Sequence, residues 1–181
     1  MTGWRQIARR LRVPFGFAFA AGYIVLARPT AASIVAGIGI ALPGLALRAR
    51  ASGYVEKNQV LTVSGPYSYT RNPLYLGSLV LAAGFTIAAR SWWIAAIAAV
   101  LLLVIYFPVI LSEEEFLRLR FPEFAQYEKE VPRLFPRLRP RAPASGAFSW
   151  HLYWKHREYN AALGFLLMAA ILVVKALWIQ S

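Results

Sequence analysis

The chain has 181 residues, 20 Lys+Arg against 8 acidic residues, a formal net charge of +12 and no cysteine. Hydrophobic residues make up 59% and charged residues 15%, where a soluble domain averages about 45–50% and about 25%; mean hydropathy is +0.49. This composition argues against a soluble globular domain and a disordered chain, and the missing cysteines exclude disulfides, zinc–thiolate sites and Cys nucleophiles. With two His and no Asp, a protein-bound metal is not expected either.

Five apolar runs follow in chain order: 13–27, 31–47, 74–89, 91–111 and 160–179. A spanning helix needs about 20 apolar residues, and the flanks of the shorter runs can extend them. The expected fold is therefore all-α and integral to a membrane, with about five transmembrane helices in a single domain, 1–181. Gly and Pro inside the runs (Gly37, Gly39, Pro43, Gly84, Pro108) are tolerated in membrane helices. The small-residue run Ala36–Gly44 suits close helix packing. Arg9, Arg10 and Arg12 precede the first run as they would in a signal peptide, but no clean A-x-A site follows. The run is read as a mature helix.

Placing the N-terminus inside puts 17 of the 20 basic residues on the cytosolic side. Arg28 and Arg90 lie in the outer turns, and Lys175 can snorkel from the last helix. Such a bias is the positive-inside pattern. It accounts for the charge better than nucleic-acid binding does, and basic inner faces also suit anionic lipid. No nucleic-acid or metal partner is expected. The two longer connections, 48–73 and 112–159, fall on the inner side, so the site is expected to face the cytosol.

In the first connection, Val60–Val63 reads as a short extended run and Ser64-Gly65-Pro66-Tyr67 as a turn. Asn72 before Pro73 reads as an N-cap with Pro at the first helical position. A helix starting there offers N–H groups and a positive dipole end to a carboxylate or phosphate. Arg71 adds fixed positive charge, and Tyr67, Tyr69 and Tyr75 add aromatic faces and hydroxyls.

In the second, Ser112 and Glu115 have capping-box spacing, and Glu114 and Arg118 are spaced i,i+4. Phe116, Leu117, Phe121, Phe124 and Tyr127 form an apolar face interrupted at Pro122, expected as two short amphipathic helices at the interface. Three consecutive acids, Glu113 to Glu115, at the end of a membrane helix are costly near lipid and mark a candidate site. Residues 132–143 carry four prolines and read as loop. His151 and His156 sit among aromatics typical of an interfacial belt.

Three blocks, GPYSYTRNPLYLG, then EExxL at Glu113, Glu114 and Leu117, then FPEFAQYEKEVPRLFP, are spaced around two apolar runs. Together they resemble the isoprenylcysteine carboxyl methyltransferase family and, equally, the related membrane phospholipid N-methyltransferases. The likeness covers a motif core of about 61–136, with a C-terminal transmembrane helix at 160–180 beyond it. It implies S-adenosylmethionine as methyl donor at the cytosolic face of a membrane, a bacterial inner membrane by expectation. The partners implied are a lipophilic methyl acceptor and membrane lipid.

Carried over, the cofactor-binding residues are Tyr67, Asn72, Pro73, Leu74, Tyr75, Gly77 and Glu113. The catalytic candidates are Glu113, Glu114 and Arg71. No GxGxxG unit supports a soluble Rossmann methyltransferase instead. Two positions depart from the family pattern. Asn72 stands where the family has His and cannot carry a proton. Tyr106-Phe107-Pro108 stands where the prenylcysteine enzymes have an Arg. Methylation of a prenylated carboxylate, methylation of a phospholipid or other small lipid, and a non-enzymatic membrane protein therefore remain three distinct readings. No charged residue sits mid-span as a transport pathway would require.

Overall fold

The computed structural model describes residues 3–56, 59–141 and 146–180. Lys57, counted above among the inner basic residues, lies outside them, as do the side chains of Arg5, Arg9 and Arg12. All regular structure among the described residues is helical. Three helices are long and apolar enough to cross a membrane: Ala31–Ser52, Trp92–Arg120 and Tyr159–Ile179. Two shorter apolar helices, Pro14–Leu26 and Pro73–Ala89, complete the five expected segments. The chain is an all-α membrane protein. Its helices expose Val35, Leu103, Leu166 and Val174, side chains that lipid solvates and water does not.

In chain order, α1 spans Gly3–Leu26 and α2 spans Ala31–Ser52. A 3-10 turn at Gly65–Ser68 precedes α3, Pro73–Ala89. Helices α4, Trp92–Leu101, and α5, Phe107–Arg120, are joined through a π-helical turn at Leu102–Tyr106. Then come α6, Phe124–Glu130, α7, Trp150–Lys155, and α8, Tyr159–Gln180. The π turn has a local cause. Pro108 has no N–H and its ring crowds the carbonyl of residue 104. One widened turn, with the Phe107 N–H donating to the Leu102 carbonyl, admits the proline without breaking the span.

The chain divides into two compact units. One holds Met1–Ala41, Ala82–Glu114 and Phe165–Ser181; the other holds Leu42–Leu81 and Glu115–Gly164. In the first, the Tyr23 hydroxyl donates to the Phe85 carbonyl at 2.7 Å and the Ser33 hydroxyl to the Ala88 carbonyl at 3.0 Å. The Arg28 N–H donates to the Ala89 carbonyl at 2.8 Å. The Lys175 ammonium donates to the Ile24 and Val25 carbonyls, so it caps the end of α1. At Gly37 an added Cβ would meet the Gly84 carbonyl, and at Gly84 it would meet the Gly37 carbonyl. The two backbones touch there because neither carries a side chain.

The second unit repeats that device. A Cβ on Gly44 would lie 2.6 Å from the Gly77 carbonyl, and one on Gly77 would lie 2.7 Å from the Gly44 carbonyl. The core of this unit is Phe124, Tyr127 and Val131, with Leu61, Val63, Leu117 and Phe121 packed around it.

Three expectations change. Ser112 and Glu115 do not open a helix, because α5 runs unbroken from Phe107 to Arg120. With the preceding turn still helical, the Ser112 hydroxyl donates back to the Val109 carbonyl at 3.1 Å and no orphan N–H needs a cap. The expected pair of interfacial helices becomes the end of α5 plus the short α6. The apolar face they share is buried against protein at Phe124 and Tyr127, which removes more apolar surface from water than an interfacial position would. Residues 61–63 form no strand; they are loop contributing Leu61 and Val63 to that core.

Candidate functional site

The loop before α3 turns at Gly65, whose φ is +56°. Glycine is needed twice over here, since an added Cβ would also lie 2.6 Å from the Tyr54 ring. Helix α3 then opens as its sequence requires. Pro73 is the first helical residue, and the Asn72 carbonyl accepts the Leu76 N–H at 2.9 Å. The first-turn N–H groups thus face out of the helix start, where the dipole is positive.

The proline-rich tail after α6 holds this loop. The Arg71 N–H donates to the Pro132 carbonyl at 2.9 Å. The Arg133 carbonyl accepts from the Thr70 hydroxyl at 3.0 Å and from Asn72 Nδ2 at 3.1 Å. The Arg137 N–H donates to the Tyr69 carbonyl and the Arg141 N–H to the Ser68 carbonyl, each at 3.0 Å. From α6, the buried Tyr127 hydroxyl donates to the Tyr67 carbonyl at 2.7 Å. Every residue from Tyr67 to Asn72 is therefore tied to the 127–141 segment, so the Y-x-x-x-V-P-R block acts as a clamp on the G-P-Y block.

Charges reinforce the clamp. Glu128 accepts from Arg118 at 2.6 Å and from Arg71 at 3.4 Å. Both guanidinium groups also lie over the Phe124 ring, at 5.8 and 5.9 Å from its centroid. The Arg118 hydrogen bond holds the Glu128 carboxyl below its usual range. Arg141 pairs with Glu130 and lowers that carboxyl likewise.

Of the candidates, Tyr67, Arg71, Asn72, Pro73, Leu74, Tyr75 and Gly77 lie together in the second unit. Tyr67, Asn72 and Pro73 are buried, while Leu74 and Tyr75 are half-buried. The Arg71 guanidinium is engaged by Glu128 and Phe124. Gly77 is where α2 and α3 touch. Glu113 and Glu114 belong to the first unit, with Glu114 buried and Glu113 half-buried. Among the described residues, no three His, Asp or Glu side chains gather as metal ligands would.

Two features had no strong sequence signal. The clamp is one, since its bonds use mostly backbone carbonyls. The other is Arg48 on α2, which makes a two-pronged pair with Glu158, Nε to Oε1 at 2.7 Å and Nη2 to Oε2 at 3.1 Å, and also donates to the Ser78 hydroxyl. In a chain with eight acids, Glu158, alone just ahead of the last apolar run, was the available hint.

Residues 44–123 match the family model for phospholipid methyltransferases. The chain is 36% identical over 107 residues to the cobalt-zinc-cadmium resistance protein CzcN of Cupriavidus metallidurans, covering 59% of this chain and 48% of that one. It is 40% identical over 83 residues to the nickel-cobalt-cadmium resistance protein NccN of Alcaligenes xylosoxydans xylosoxydans, covering 46% and 39%. The chain thus spans half or less of the length of these curated relatives. No solved structure matches.

Proposed function

We propose, from a chain whose residues 44–123 match the phospholipid methyltransferase family, that this membrane protein moves a methyl group from S-adenosylmethionine to a lipophilic acceptor. In this reading the N-terminus and the site face the cytosol, which the basic-residue bias supports, and the membrane is a bacterial inner membrane. The single observation that carries it is the opening of α3, a helix N-terminus whose loop is pinned residue by residue to the 127–141 segment.

The donor set fits the cofactor. S-adenosylmethionine presents a carboxylate, an ammonium, ribose hydroxyls and an adenine. The α3 N-terminus suits the carboxylate. Glu113 suits the ammonium or the ribose hydroxyls. Tyr67, Leu74 and Tyr75 offer apolar and aromatic surface to the adenine.

When bound, the cofactor supplies an electrophilic methyl on a sulfonium. The chain's part is to orient the partners and keep water out. Pinning of 67–72 prepays the ordering of the loop, so binding need not. A carboxylate acceptor is already nucleophilic and needs no base. An amine acceptor must lose a proton, and the carboxylate oxygens of Glu113 or Glu114 can receive it. The family match favours an amine-bearing lipid headgroup, as does the absence of a basic residue at Tyr106-Phe107-Pro108.

Calorimetric titration of the protein in nanodiscs with S-adenosylhomocysteine tests the assignment. Glu113→Ala and Tyr75→Ala should each weaken binding by about tenfold or more, the loss of one charge-assisted contact or one aromatic face. Unchanged affinity in both variants sinks the site, and no binding by the wild type favours a non-enzymatic protein.

A further inference from the structure

The second unit carries an apolar surface that its own core does not use. Leu119, Phe135 and Leu138 are 82%, 86% and 98% exposed. Arg120, Arg137 and Arg139 are their neighbours in the chain and are exposed too. Residues 131–141 contain no acid. Exposed side chains on a loose loop would mean little. Here the backbone that carries Phe135 and Leu138 is held on both sides, by the Thr70 hydroxyl and Asn72 Nδ2 on the Arg133 carbonyl and by the Arg137 and Arg141 N–H groups on the Tyr69 and Ser68 carbonyls. The Arg137 guanidinium also donates to the Glu130 carbonyl at 2.8 Å. Two large apolar side chains are thus presented outward at a fixed spacing with cations around them.

We propose that residues 133–139, with Leu119 and Arg120, form a docking surface for anionic lipid of the bilayer this protein spans. In this arrangement Phe135 and Leu138 enter the upper acyl layer, and Arg120 and Arg139 lie among the phosphates. The combination of apolar anchors with basic residues is what interfacial binding to anionic lipid requires: a neutral headgroup layer gives the arginines no counter-charge, and an acidic protein face gives the apolar anchors no acyl layer to enter. The clamp makes the docking consequential. A segment fixed to lipid on one side and to 68–72 on the other holds the start of α3 at a set depth.

The chain has no cysteine, so a single nitroxide can be placed at Leu138→Cys without removing other thiols. Power-saturation measurements then compare collision with oxygen and with a water-soluble nickel chelate. The protein is reconstituted in vesicles of phosphatidylcholine alone or with 30% phosphatidylglycerol (roughly the anionic fraction of a charged leaflet). The expected result is that anionic vesicles shield the label from nickel and favour oxygen. Arg120→Gln and Arg139→Gln should each weaken the shielding by roughly fivefold in partition, the worth of one basic residue near an anionic surface. Equal nickel access in both vesicle types overturns the proposal, as does shielding indifferent to both arginines. Shielding that grows with protein density in the bilayer overturns it in favour of contact between copies.

Discussion

The Arg133 carbonyl offers a sharp test of the clamp, because two side chains donate to it. Thr70 Oγ1 approaches at 3.0 Å and Asn72 Nδ2 at 3.1 Å, and both residues are buried. Thr70→Val keeps the shape but removes one donor and, with it, the acceptor of the Asn72 N–H at 3.4 Å. Asn72→Ala removes the other. Each single change leaves the carbonyl one side-chain partner, so each should cost about 1 kcal/mol, the net worth of one hydrogen bond. Asn72→Ala adds up to about 1 kcal/mol for a poorer N-cap. The double variant removes both of these side-chain donors from the oxygen, and the lost compensation costs up to about 1–3 kcal/mol. The double should therefore exceed the sum of the singles by about 1–3 kcal/mol. Reversible denaturation in mixed micelles gives the four stabilities of the cycle. Hydrogen exchange at the Arg71 amide, which donates to the adjoining Pro132 carbonyl, should report the same loss locally. Strict additivity, with Arg71 protection unchanged, would refute the claim that the tail holds the α3 opening.

Three other changes probe the fold beneath the site. Gly77→Val places a side chain against the Gly44 backbone and Arg48, where neither helix can give way, so a loss of about 1–3 kcal/mol is expected by thermal melting in detergent; Gly39→Val, at a position with open space around it, should cost well under half as much. Arg48→Met leaves Glu158 buried and uncompensated; with a quarter of the Arg48 side chain exposed the expected loss is roughly 2–3 kcal/mol, and Glu158→Met in the same chain should recover part of it. Glu128 has its carboxyl lowered chiefly by the Arg118 hydrogen bond, from an ordinary value of 4.5. A lowered folded-state value contributes stability above the unfolded value and loses it as pH falls through the folded one. Protection of the Arg71 amide, on a residue that Glu128 holds, should accordingly decline below about pH 4.5, and Glu128→Gln should weaken that dependence, the remainder belonging to Glu130, whose carboxyl Arg141 lowers.

The helices were legible because their signals are local. Apolar runs set the spans, and Asn72-Pro73 marks the start of α3 by chemistry confined to two residues. The Ser112–Glu115 pattern misled for a related reason. A capping box has meaning only where preceding carbonyls are lost, and the π turn before Pro108 keeps the helix going through that point. The clamp was illegible because backbone carbonyls leave no mark in side-chain identity. Arg48 and Glu158 are 110 residues apart in the chain, so only the fold pairs them. Gly77 stood in a recognisable motif, yet its tight contact is with the backbone of α2, a role that the motif does not distinguish from ligand binding.

Methyl transfer itself is the most direct measurement. Purified protein in vesicles of bacterial-type lipid is incubated with methyl-labelled S-adenosylmethionine, and the extracted lipid is treated with base. Base releases methanol from methyl esters and leaves N-methyl groups intact, so the label's fate also identifies the acceptor. The account predicts label in the lipid fraction, retained after base, and its loss in Glu113→Ala. No lipid label above the variant's level, in protein that remains folded, would contradict it.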